Sequence, residues 1–475
     1  METIYPHSCL CIYTTAPQLY KSPQNPRRNL RVFFMSVFAR IGHENRHTHL
    51  IIDSNQMKKA ISLSTPDDTV LTTILPNGLQ IITEYVPTVE SVALGVWVNA
   101  GSRDETNATM GMAHFIEHIL FRRTSKRSSA AIARAFEDLG AYANAFTTKE
   151  HTCVYARCLK QYAKQTLELL CEVMLMPQFH PRDIEKERRV IIEEIRSYDD
   201  DPEEVIFDEG EKILFGHHPL SGQIAGTVDS VTSLTREDIL SFYSRQYIPS
   251  NMVITVAGNI RHDVIVELCS KLTYSYTSET KIQSKRKKPR PTKKTSIHLV
   301  KDFQQAHLFL GTVTDGIRSQ QRYALSVFNT LLGDGMSSRL YQSVRERSGL
   351  AYAIYSTIQF LSDCGTLAVY AALDHSQVEF ARESIYKEMK KLIDEPCSAK
   401  ELQRMKLQVQ AGIVMSLESM ESRMTAMGKA ILETGKYEKV ESVLAKVGAV
   451  TAEDIQACAG VLTPEKISEV LFSPQ

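Results

Sequence analysis

The chain has 475 residues, with 55 basic and 55 acidic side chains and a formal net charge of zero. That length leaves room for roughly two to four domains with sizeable cores, and the balanced charge offers no global field for nucleic acid or an anionic membrane. No run approaches the ~18 apolar residues a membrane helix needs. The nine cysteines form no CxxC pair, which reads as reduced thiols in a reducing compartment and argues against zinc–cysteine chemistry.

Residues 1–65 carry no regular pattern and read as an N-terminal extension, disordered or not native, with Met57 as a candidate natural start. Within it, Arg31–Ile41 (RVFFMSVFARI) is apolar but short and broken by Arg40; the arginine content leaves a mitochondrial transit peptide as the alternative. Patterning begins at Val70, where VLTTILPNGLQIITEYV predicts two strands joined at Pro76-Asn77-Gly78. SVALGVWVNAGSRDE predicts a strand closed by a Gly-Ser turn. A helix carrying HFIEHILF follows, then a second helix, SSAAIARAFEDLGA, ending at Gly140. The strand NAFTTKEHTCVYARCL leads into two long amphipathic helices, QYAKQTLELLCEVML and, after Pro181, RDIEKERRVIIEEIRSY. NMVITVAGNI closes this half as a strand. Residues 66–273 thus predict an α+β domain, a mostly antiparallel sheet with helices on one face.

Residues 274–295, rich in Lys, Arg and Pro, read as a solvated interdomain linker, with a basic patch for an acidic partner as the alternative. Over 296–475 the pattern starts again. Leu308–Gly316 mirrors Leu94–Gly101, and SRLYQSVRERSGLAYAIYS mirrors Ser129–Thr148. CGTLAVYAALD parallels HTCVYARCLK, two helices recur around Pro396, and ISEVLFS repeats the closing strand. Where the first half has HFIEH, the second has FNTLLGDGMSS. The chain therefore predicts two homologous α+β domains, one with metal-type ligands and one without.

His114 and His118, four apart on a helix, project about 40° from each other on one face, and Glu117 falls on that face too. Two imidazoles suit zinc, and a neighbouring carboxylate suits a general base; this is the H-x-x-E-H order. A polar helix face holding two histidines by chance is the competing reading. A catalytic zinc takes three protein ligands, and the helix RDIEKERRVIIEEIRSY offers the third: Glu187 and Glu194 share a face two turns apart, beside the apolar Ile191 and Ile195. Glu194 as ligand leaves Glu187 to orient a histidine. A solvated acidic face remains the alternative on these residues alone. His151, His217 and His218 do not read as ligands.

Over nearly all of 66–475 the chain resembles the insulinase/pitrilysin-type (inverzincin) zinc metallopeptidases, in the processing-peptidase-like branch and its bacterial single-subunit type. The resemblance implies one zinc ion per chain held by His114, His118 and a glutamate 76 residues further on, Glu194, with Glu117 as general base and Glu187 as the supporting carboxylate. It implies two domains enclosing a chamber. Asn144, Ala145 and Phe146 would bind an extended peptide by strand addition. Arg345 and Tyr352, seven apart in RERSGLAY, would stabilise the oxyanion from the second domain. Glu204 and Asp208 would receive a substrate arginine. The function so implied is a zinc-dependent endopeptidase acting on extended or presequence-like peptides; a non-catalytic peptide-binding or scaffold homologue is the alternative. A homodimer is expected, with a heterodimer bearing a glycine-rich-loop partner subunit as the alternative. The compartment implied is cytoplasmic, or alternatively the mitochondrial matrix.

Overall fold

The computed structural model describes residues 69–273, 276, 286–290 and 292–474. The expected extension over 1–65 and most of the expected linker lie outside them. In chain order the first half consists of β1 (Val70–Ile74), β2 (Gln80–Tyr85), β3 (Ser91–Val98), α1 (Met112–Leu120), α2 (Ser129–Asp138), β4 (Tyr142–Thr147) and β5 (Thr152–Leu159). It continues with α3 (Ala163–Leu175), α4 (Pro181–Asp199), α5 (Pro202–Phe215), α6 (Val228–Ser233), α7 (Arg236–Gln246), β6 (Met252–Gly258) and α8 (His262–Thr273). The second half consists of β7 (Ser296–Val300), β8 (Ala306–Thr314), α9 (Arg322–Leu332), a π-helical turn (Tyr341–Arg347), β9 (Ala351–Phe360) and β10 (Gly365–Leu373). α10 (Val378–Asp394), α11 (Ala399–Ser416), α12 (Met420–Thr434), α13 (Val440–Ala449), α14 (Ala452–Ala459) and β11 (Ser468–Ser473) complete it.

The repeat seen in the sequence is a repeat of strand register. The first sheet has the order β1-β2-β6-β3-β5-β4 and the second β7-β11-β8-β10-β9. Each has one parallel pair, β2 with β6 and β7 with β11, the other neighbours being antiparallel. In the first, Leu94 stands between Ala156 and Val256; in the second, Leu308 stands between Ala371 and Leu471. A one-residue slip would turn every side chain to the wrong face, so matched registers preserve matched cores. The helices repeat as closely. Ile184, Ile191 and Ile195 of α4 lie 218 positions before Leu402, Val409 and Ile413 of α11, and both sets are buried or packed against their core.

The expectation of helices on one face needs an addition. The central strands β3, β6, β8 and β10 are apolar on both faces, so both faces must be covered. Each sheet's second face takes a helix from the other half. Ile206, Leu214 and Phe215 of α5 pack on Phe309, Tyr370 and Phe472. In exchange, Met420, Met424, Met427 and Ile431 of α12 pack on Ile82, Trp97 and Val253. Both helices approach closely through glycine: a Cβ at Gly210 would lie 2.5 Å from the Phe309 ring, and one at Gly428 2.3 Å from Trp97.

The described part of the basic segment is built into this junction. Arg286 donates to the Asp104 carboxylate at 2.9 and 2.6 Å and to the Glu150 carbonyl, and the Lys287 carbonyl accepts from Arg103. Composition alone read the segment as solvated, because the buried acceptors come from distant parts of the chain.

Candidate metal centre

The helix carrying HFIEH is apolar nearly all round and buried accordingly. Its start is set by two devices. The Glu105 carboxylate accepts from the backbone N–H groups of Gly111 and Ala113 at 2.8 and 2.7 Å, satisfying donors at a helix N-terminus. Gly111 itself has φ of +89°, and a Cβ there would meet the Ala225 carbonyl at 2.6 Å. On α4, Pro181 opens the helix and the apolar strip Ile184, Ile191 and Ile195 fixes which face meets α1. That face carries Glu187 and Glu194.

These elements bring His114, His118 and Glu194 together, with one ligand atom from each lying within 4.8 Å of the others. His118 Nε2 is 3.4 Å from Glu194 Oε2, and His114 Nε2 is 3.8 Å from Glu194 Oε1. Donors ~2.1 Å from a tetrahedral zinc stand about 3.4 Å apart, so the spacing and the N, N, O donor set fit that ion. Behind the cluster, His118 Nδ1 and Glu187 Oε2 are 3.3 Å apart, which holds the ring with Nε2 facing Glu194. Glu187 is fully buried and is also paired with Arg122. Tyr198 donates to Glu194 Oε1 at 2.6 Å.

The electrostatics favour a cation. Burial drives the His114 imidazole down to about 4. For His118, burial is outweighed by hydrogen bonds to Glu187 and Glu194, which carry it up to about 9. Glu194 is held down to about 2, since hydrogen bonds from His118 and Tyr198 and the histidine charges overcome its burial. His118 therefore sits in an excess of negative charge, while burial favours the neutral form of His114. Glu117 differs: burial pushes it up to about 7 against the hydrogen bond from Thr147, whose hydroxyl donates to Oε2 at 2.6 Å.

Thr147, Arg122 and Tyr198 were not singled out from the sequence. Tyr198 stands four residues after Glu194 on α4, a spacing that puts it on the ligand face, and Arg122 stands four after His118, in the turn that follows α1. Thr147 has no such local signal, because it reaches Glu117 from a strand.

The remaining expected residues are placed as follows. Asn144, Ala145 and Phe146 lie on β4, the edge of the first sheet, paired among the described residues with β5 alone. Asn144 Oδ1 accepts from the Ala145 N–H at 2.9 Å, and Phe146 packs edge-on to Trp97. Glu204 and Asp208 share a face of α5, Asp208 accepting from Gln223 at 2.7 Å and raised to about 6 by burial. Tyr352, on the edge strand β9, is 73 % exposed, and Arg345 stacks over Tyr341. Neither belongs to the group gathered around Glu194. His151 is buried against Glu433, and His217 and His218 lie in the loop after α5.

Among the described residues the duplicated α+β chain gathers two imidazoles and a carboxylate at metal-ligand spacing only in its first half, with a second carboxylate buried beside them, the arrangement of the zinc metallopeptidase class. Residues 80–228 match the family model described as Insulinase (Peptidase family M16), and residues 233–409 match Peptidase M16 inactive domain. An uncharacterized zinc protease of Mycobacterium leprae is 38 % identical over 413 residues, 85 % of this chain and 92 % of its own length. One of Bacillus subtilis is 36 % identical over 398 residues, 84 % and 97 % of the two lengths. Among solved structures, a protease from Helicobacter pylori shares the fold with a TM-score of 0.80 at 21 % identity, over 85 % of this chain and 99 % of that one. The chain belongs to the M16 (insulinase) family of peptidases.

Proposed function

We propose that this chain is a zinc-dependent endopeptidase acting on extended peptides, with one zinc held by His114, His118 and Glu194. The observation that carries the reading is the convergence of those three donors beside the buried carboxylate of Glu117. Zinc bound there would supply Lewis acidity, polarising a scissile carbonyl and acidifying water. The chain's own groups do the rest. Glu117 would take a proton from water and return it to the leaving amine. Glu187 and Tyr198 orient the ligands, and the open edge of β4 at Asn144–Phe146 can pair with an extended substrate, which favours unfolded or presequence-like segments.

Two further assignments go with the reading. Arg345 and Tyr352 would serve the oxyanion; their exposure on one edge of the second half suits delivery by a second copy of the chain in a homodimer. Glu204 and Asp208 would set a preference for a substrate arginine. Among the described residues no helix is long and apolar enough to cross a membrane; a cytoplasmic or matrix setting is part of the proposal.

The test is zinc content and cleavage of an arginine-containing fluorogenic peptide by wild type and Glu117→Gln. Wild type should cleave, and the variant should keep zinc while losing about 10²- to 10⁴-fold in rate, the usual contribution of a general base. A zinc-loaded wild type that cleaves no peptide would leave the scaffold or peptide-capture reading instead.

A further inference from the structure

The turn between β4 and β5 carries more buried charge than a surface turn has reason to carry. Lys149, Glu150 and His151 are all at most 5 % exposed, and each is tied to a different element. Lys149 pairs with Glu211 of α5 at 2.6 Å and donates to the Gly222 carbonyl at 2.7 Å. His151 Nε2 lies 3.5 Å from Glu433 of α12. Glu150 is the most heavily engaged. Its Oε1 accepts from Arg103 and from the Ser362 hydroxyl, both at 2.6 Å, and its Oε2 accepts from the Ser362 backbone N–H at 2.8 Å. Arg103 continues across to the Asp363 carboxylate at 2.9 and 2.8 Å. Ser362 and Asp363 form the β9–β10 turn of the second half, which has no ligand in the metal cluster.

Immediately before this turn stands Thr147, whose hydroxyl holds Glu117. Asn144 to Thr147 are paired along β4 with β5, Thr147 closing the ladder opposite Thr152, so the end of the strand, where the Thr147 hydroxyl sits, also depends on what anchors the turn that follows it. A buried carboxylate with four acceptor sites largely filled is a stiff anchor. We propose that Glu150 is a positioning residue for Glu117: it pins the β4–β5 turn to the second half, which keeps the Thr147 hydroxyl on the Glu117 carboxylate. The inference rests on Glu117 being the base, and it gives the metal-free half a role in the chemistry of the other.

The test is steady-state cleavage of the fluorogenic peptide by full-length, zinc-loaded protein carrying Glu150→Gln, Ser362→Ala, Thr147→Val, Thr147→Ser, or Thr147→Val with Glu150→Gln. Glu150→Gln should lower kcat by about 10- to 100-fold, the scale on which misplaced catalytic groups act, with KM and zinc content unchanged. Ser362→Ala, which keeps the backbone bond and Arg103, should show a smaller loss of the same kind and serves if Glu150→Gln does not fold. Thr147→Ser should retain most of the rate. The double variant should be no slower than the slower single one, because both act through one contact. Additive losses, or losses confined to KM or zinc content, overturn the proposal. If wild type cleaves nothing, the functional reading fails separately. Amide exchange then decides the pinning: Glu150→Gln must speed exchange in the β4–β5 turn while β6 keeps wild-type rates, and unchanged exchange overturns it.

Discussion

The two halves of the chain are the same fold used for different ends, and the differences fall at few positions. Strand registers match residue for residue through Leu94 and Leu308. On the helix pair that meets the metal-bearing helix in one half and α9 in the other, the apolar strip is kept. Within it Glu187 of α4 is answered by Met405 of α11, 218 positions on, and Glu194 by Gly412. Glu187 and Met405 are both fully buried. Thr147 stands opposite Thr152 at the end of β4, while the second half has Ile358 opposite Leu367, both in its core. A helix-to-strand hydrogen bond survives there as Ser356 donating to Asn329 at 2.8 Å, without an ionisable group. The candidate metal cluster thus differs from its counterpart in the second half by a few ionisable side chains on a matched frame.

The largest effect this contrast predicts comes from the proposed ligands. His114→Ala or Glu194→Ala should abolish zinc binding and lower activity by roughly 10³-fold or more, because the Lewis acid leaves with its ligand. Asn329→Ala, on the matching helix of the second half, should leave zinc content untouched. Metal analysis after dialysis checks both, and zinc loss in Asn329→Ala would break the comparison.

Next in size is a pH effect at the exchanged helices. α5 ends in Phe215, and the position 218 further on, near the end of α12, is Glu433. Burial raises Glu433 from 4.5 to about 8. A carboxyl raised in the fold contributes stability fully present below the unfolded value and lost as pH rises through the folded one. Between about pH 4.5 and 8 the wild type should therefore lose on the order of a few kcal/mol relative to Glu433→Gln. The neighbouring His151, lowered by burial from 6.5, acts in the opposite sense, its stability being lost as pH falls. The readout is accordingly the difference in urea unfolding free energy between wild type and variant. A flat difference would mean that Glu433 is ionised in the fold.

How much of this could be read in the sequence depended on whether the signal was local. Helical spacing gave His114, Glu117 and His118, and two turns of α4 gave Glu187 and Glu194 a common face. The duplication was legible because strand and helix order repeat at nearly constant separation. The clamp through Arg103, Glu150 and Asp363 was not, since its members are 47 and 213 residues apart and carry no period. The exchange of α5 and α12 was equally hidden: an amphipathic helix shows that it packs, not which sheet it packs on. Arg286 reads as one more charge in a basic segment until Asp104 is placed beside it.

That exchange yields a symmetrical prediction of smaller size. Gly210→Ala and Gly428→Ala each drive a methyl into an aromatic ring, Phe309 or Trp97. Overpacking of this kind costs about 1–3 kcal/mol, more than the helix propensity of alanine returns. Urea denaturation should show comparable losses for the two. A stabilised variant would show that its helix can lift from the sheet, and the halves would then differ in how firmly they grip each other.

The smallest effect tests the substitution that separates α4 from α11. Glu187→Met places in the first half the residue that the second half already buries at that point. His118 would lose the carboxylate facing Nδ1, so its ring would be less well oriented and less basic toward a metal; such partners are worth about 10- to 100-fold in affinity. Arg122 would lose its buried counter-ion, but it is itself partly exposed and can turn to water. The lower end of that range, about tenfold or ~1.4 kcal/mol, is therefore expected for zinc, with metal-free stability changed by less than about 1 kcal/mol since methionine fills the space without a charge to desolvate. Competition titration with a chelator measures the first quantity and urea unfolding without metal the second. Unchanged zinc affinity would mean that Glu187 serves only to neutralise Arg122, and the difference between the two helices would reduce to Glu194 alone.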